Sequence, residues 1–132
     1  MSNYHYFSDE EVAKWKLDPE LWAMLDMARD KAGVPFIITS GRRTPDQNAC
    51  LHGAVADSSH LSGLGVDLST SGDDHIKERI TYGLCAAGFV RRGIYYKDAE
   101  NGTANLIPHH IHVDIDKTKP QEVEWSLREL NA

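Results

Sequence analysis

Ser58-Ser59-His60-Leu61-Ser62-Gly63-Leu64-Gly65-Val66-Asp67 changes character halfway along. Gly53 to Ser62 is small and polar and reads as a loop, the kind of segment in which site residues collect on a rigid scaffold. From Leu64 the pattern has period two: Leu64, Val66 and Leu68 alternate with Gly65, Asp67 and Ser69, as in a half-buried strand. Asp67 therefore points away from the apolar face. Pro108-His109-His110-Ile111-His112-Val113-Asp114 answers it near the C-terminus. Ile111, Val113 and Ile115 share one face there, so His110, His112 and Asp114 share the other. Three polar groups in register opposite an apolar face need a chemical reason.

Helical signals flank these strands. Ser8-Asp9-Glu10-Glu11 is a capping box opening a short helix through Val12 and Trp15. Asp18-Pro19-Glu20 starts a second, with Leu21, Met24, Leu25, Ala28 and Ala32 at helical spacing, Gly33 as its stop and Pro35 against resumption. Phe36 to Thr39 is a β-prone run, and Ser40-Gly41-Arg42-Arg43 turns out of it. Thr44-Pro45-Asp46-Gln47 opens a short helix through about His52. A helix from about Asp73 to Ala87 presents Ile76, Ile80 and Leu84 on one face. Phe89-Val90 and Ile94-Tyr95-Tyr96 read as strand, with the tyrosines as strand packing, and Asn101-Gly102 as a turn. Pro120 is expected to begin a closing helix carrying Val123, Leu127 and Leu130. No repeat or second domain is evident, so residues 1–132 read as one domain.

Composition narrows the function classes. A 41% hydrophobic and 26% charged share is ordinary for a globular protein. The net charge of −6, with no basic block, argues against a nucleic-acid partner. Cys50 and Cys85 form no disulfide framework and read as small buried residues of a reducing compartment. Met1 to Tyr6 lacks the pattern of a signal peptide, and no segment approaches the ~18 apolar residues of a membrane span. Synthesis in the cytoplasm is expected, with any outward journey needing outside help. Seven histidines are the compositional oddity, three of them within four residues.

His60, Asp67 and His112 offer two nitrogens and one carboxylate oxygen, the ligand set of a catalytic zinc with one position left for water. His5, His52 and His75 read as structural or solvated. Ser58-x-His60-x-x-Gly63-x-Gly65-x-Asp67 resembles the signature of the zinc D-alanyl-D-alanine metallopeptidases, which include D-Ala-D-Ala carboxypeptidases, dipeptidases and many phage endolysins. His110-x-His112 with Val113-Asp114 is similar to the family's C-terminal His-x-His element, and Thr39-Ser40-Gly41-Arg42-Arg43 with Asn48 to its upstream element. The likeness runs from about Phe7 to about Ile115. Gly65 stands where the signature usually has alanine.

The resemblance implies an α+β fold of hedgehog/DD-peptidase type: a small antiparallel sheet with helices packed mainly on one face. It implies a zinc peptidase, a monomer acting on peptidoglycan peptides, released by a phage-type lysis system if it reaches the cell wall. A non-catalytic zinc-containing binding or virion structural module of the same fold is the alternative. Arg43 matches the family arginine that holds the substrate's carboxylate or peptide oxygen, a task suited to a permanently charged fork of donors. Ser58 and Asp114 are candidates to orient a ligand histidine, and Ser58 alternatively to touch substrate. The general base is His110 or His109. Strand alternation puts His110 on the face of His112 and His109 on the other, unless Pro108 breaks the regularity there.

Overall fold

The structure is a computed structural model that describes residues 2–50, 57–99 and 106–128. Its elements are α1 (Asp9–Trp15), α2 (Pro19–Ala32), β1 (Ile38–Ser40), α3 (Pro45–Ala49), β2 (Gly65–Ser69), α4 (Asp74–Ala86), β3 (Arg91–Asp98), β4 (Leu106–Asp114) and β5 (Val123–Arg128). The capping chemistry forms as the residues dictate. Ser8 and Thr44 each make both halves of a capping box, with Glu11 and Gln47. Asp18 accepts from the backbone N–H of Glu20, and Gly33 ends α2 in the left-handed region at φ 71°.

The five strands lie in the order β1-β2-β4-β3-β5. Every pairing is antiparallel except β3 with β5. Val66 and Leu68 of β2, Ile94 of β3, and Ile111 and Val113 of β4 turn to one side. There they meet Leu21, Trp22, Leu25 and Ala28 of α2 and Ile80 and Leu84 of α4. Burying each large aliphatic side chain in this layer contributes about 1.5–3 kcal/mol. Trp22 joins Leu21 and Leu25 as a large side chain that α2 commits to the core, and Met24 packs partly buried against it. The class is α+β with one helical layer on the apolar face, as expected.

Three expectations are corrected. The closing helix is a strand: β5 pairs in parallel with β3 from Arg91↔Val123 to Tyr96↔Arg128. Val123 and Leu127 are four apart, a spacing that suits a helix and a strand alike. Trp125 between them decides, because in a strand it joins their face and lies over Gly93, where an added Cβ would overlap its indole. The sheet is accordingly mixed. Second, Phe89-Val90 lie just before β3, with Phe89 in the core, and only the Ile94–Tyr96 signal falls within that strand. Third, Cys50 and Cys85 are both exposed free thiols, one capping α3 and the other on the outer side of α4. His52, Asn101-Gly102 and Leu130 lie outside the described residues.

Candidate metal centre

His60 sits on a 3-10 turn, Ser59–Leu61, that the Ser58 hydroxyl caps by accepting from the His60 backbone N–H. The ring is buried, and the Gly41 carbonyl accepts from its Nδ1 at 2.7 Å. That bond fixes the tautomer and turns Nε2 inward, 3.2 Å from Asp67 Oδ1. Asp67 and His112 are direct cross-strand partners on β2 and β4. His112 Nδ1 lies 2.9 Å from the same Asp67 oxygen, while its Nε2 donates to Asp114 Oδ2 at 2.8 Å. Each imidazole thus has its outer nitrogen held and its inner nitrogen aimed at one carboxylate oxygen.

The three candidate ligand atoms lie within 4.8 Å of one another. Tetrahedral zinc with bonds of about 2.0 Å needs donors roughly 3.3 Å apart, close to the two spacings seen. The electrostatics agree. Burial alone would raise the Asp67 carboxyl, but its contacts with His112 and then His60 hold it far below the usual carboxylate range. Burial works against charge on His112 as well. Asp114 and Asp67 overcome it and push the ring up to about 9, so that an imidazolium supplies the positive charge between two carboxylates. A divalent cation on the same three donors would take over that charge and release the Nδ1 proton. The residues fit zinc.

Arg43 stands beside this centre. Its Nη2 donates to Ser58 Oγ at 3.0 Å, and its backbone N–H donates to the His60 carbonyl at 2.9 Å. Among the described residues its Nε is buried with no hydrogen-bond partner. Burial lowers the affinity of its guanidinium for the proton, and the nearby Asp67 charge opposes that. A groove of about 570 Å³, lined by Trp15, Ser40, Arg43, Asp46 and Gln47 among others, opens alongside. Ser58 therefore holds the arginine and the turn, and touches neither imidazole nitrogen of His60.

Asp114 does meet a ligand candidate, and it also pairs with Arg91 Nε at 3.0 Å. The β-bulge opposite Tyr95 and Tyr96 answers the question left by Pro108. Tyr95 faces His110 and Tyr96 faces Pro108, so the extra residue is His109. The bulge brings His109 Nδ1 to 2.7 Å from His110 Nδ1, and the His110 ring stacks on Tyr95. His5 and His75 stand apart on exposed ground. Sequence reasoning missed the Gly41 carbonyl, which has no side-chain signature. It also missed Ser59, whose Oγ lies 3.3 Å from His112 Nε2 and 3.4 Å from Asp114.

Among the described residues no helix is long and apolar enough to cross a membrane. No curated protein matches the chain. A family model described as Peptidase M15 matches residues 7–114, a span from α1 to the end of β4 that includes all three candidate ligands. With most of its length covered and the metal-ligand geometry in place, the chain belongs to the Peptidase M15 family, a family of zinc-dependent metallopeptidases.

Proposed function

We propose that this peptidase hydrolyses an amide bond in peptidoglycan stem peptides or their precursors. One observation carries the reading: two imidazoles and a carboxylate converge on the sheet face opposite the core, with a donor-rich arginine and an open groove beside them. His60, Asp67 and His112 would hold the zinc. When bound, zinc supplies a Lewis acid that polarises a carbonyl and lowers the pKa of water from about 15.7 towards about 7.

The chain's own residues supply the rest. Gly41 and Asp114 fix the two rings, so that the donors need no reorganisation. Arg43, held by Ser58 and lining the groove, offers its guanidinium to a peptide oxygen or a terminal carboxylate. His110, on the same face of β4 as His112, takes a proton from the attacking water and returns it to the leaving amine. The resemblance to phage lysins supports a monomer that acts at the cell wall after release by a phage-type lysis system.

Zinc content and new amine ends should be measured on purified peptidoglycan for the wild type, His112→Ala and Asp67→Ala, with and without a chelator. Cleavage by the wild type, abolished together with zinc retention in either variant, is the expected result. Cleavage that survives in the demetallated His112→Ala protein overturns the mechanism. Zinc retained by a wild type that produces no new ends would make the chain a zinc-containing binding module.

A further inference from the structure

The strand that sequence periodicity reads as a helix brings a tryptophan to the same sheet face as the metal ligands. Trp125 covers Gly93, the β3 partner of His112, and its ring centroid lies 6.0 Å from that of His112. Its Nε1 donates to the Tyr95 hydroxyl at 3.0 Å. The Tyr95 ring in turn lies flat against the His110 imidazole, with centroids 4.5 Å apart and planes 7° from parallel. Arg91 closes the arrangement from below. Its guanidinium lies 4.8 Å from the Trp125 ring centroid while its Nε is bonded to Asp114, the carboxylate that holds His112.

We infer that Tyr95 and Trp125 are a positioning pair that fixes the rotamer of His110 beside the metal centre. This rests on the reading of His110 as the proton-transferring group. An imidazole on a half-exposed strand face otherwise samples several χ rotamers, and proton transfer tolerates little misplacement. The stack confines the plane of the ring. The indole–hydroxyl bond confines the tyrosine that makes the stack. His109, bonded to His110 Nδ1, limits rotation within that plane.

The test uses zinc-loaded Tyr95→Leu, Tyr95→Phe, Trp125→Phe and His110→Ala, with Tyr95→Leu combined with His110→Ala. Zinc content, kcat and KM on a defined muropeptide, and the ¹³C relaxation of the His110 ring are read for each. Tyr95→Leu should lower kcat roughly ten- to a hundredfold with KM and zinc unchanged, and should set the His110 ring exchanging between rotamers. Tyr95→Phe, which keeps the stack, should retain most of the rate, and Trp125→Phe should fall between. In the His110→Ala background Tyr95→Leu should cost nothing more.

A His110 ring that stays as ordered in Tyr95→Leu as in the wild type overturns the inference. So does a Tyr95→Leu loss that multiplies undiminished onto His110→Ala. If the wild type cleaves nothing while its His110 ring loosens in Tyr95→Leu as expected, the positioning pair stands and the peptidase reading of His110 falls.

Discussion

At Gly65 the lack of a side chain lets Ser59 into the site. A Cβ built there would overlap Ser59 Oγ and stand 3.0 Å from His112 Cε1. Ser59 thus occupies space that an alanine in this position would need, and uses it to approach His112 and Asp114. Gly65→Ala should therefore destabilise the protein by about 1–3 kcal/mol, the usual cost of overpacking a filled site. It should also weaken zinc binding by displacing the His112 ring. Adding Ser59→Ala should recover part of both losses, as read by urea unfolding and zinc titration. A Gly65→Ala protein as stable and as tightly metallated as the wild type would show that Ser59 yields freely. Asp67 and His112 were legible in the sequence because strand alternation puts each on the polar face, and His60 through the motif spacing it shares with the family. The Gly41 carbonyl and the Ser59 hydroxyl were not, since one is backbone and the other is a common loop residue whose role depends on a neighbour lacking a Cβ.

Element boundaries show the same division. Helices α1, α2 and α4 announce themselves through caps and repeated apolar positions, and β2 and β4 through clean alternation. Strand β5 was obscured by two apolar residues at a spacing common to both periods, and only its pairing with β3 removes the ambiguity. Its position is secured by Arg91, which bonds the Pro120 carbonyl at 3.1 Å, packs on Trp125 and pairs with the fully buried side chain of Asp114. Removing one partner of a buried ion pair leaves the other charge without compensation, at about 3–5 kcal/mol. Because His112 and the Asp116 backbone N–H still hold Asp114, and the Arg91 side chain is 14% exposed, Arg91→Met should cost less than that, about 1–3 kcal/mol. Asp114→Asn added to it should cost less than the two single losses summed, since the uncompensated charge is then gone. Urea unfolding of all three variants gives the coupling. Strict additivity would mean that Arg91 holds β5 through packing alone.

Across the whole molecule the sheet separates two tasks. Its apolar face is closed by α2 and α4, and its polar face carries the ligands, the arginine and the aromatic support. The helical layer depends on a close approach that no periodicity rule reveals. Gly83 of α4 faces α2 so tightly that a Cβ would overlap the Ala28 carbonyl and lie 2.7 Å from Ala32 Cβ. Alanine is the better helix former by about 1 kcal/mol, so propensity alone would make Gly83→Ala stabilising. The backbone carbonyl cannot move aside without shifting a turn of α2, and overpacking of this kind costs about 1–3 kcal/mol. Gly83→Ala should therefore lower the urea midpoint while zinc affinity and cleavage per folded molecule stay at wild-type values. A loss of zinc affinity in step with stability would show that the helical layer governs ligand geometry through the sheet, and that the two faces do not work independently.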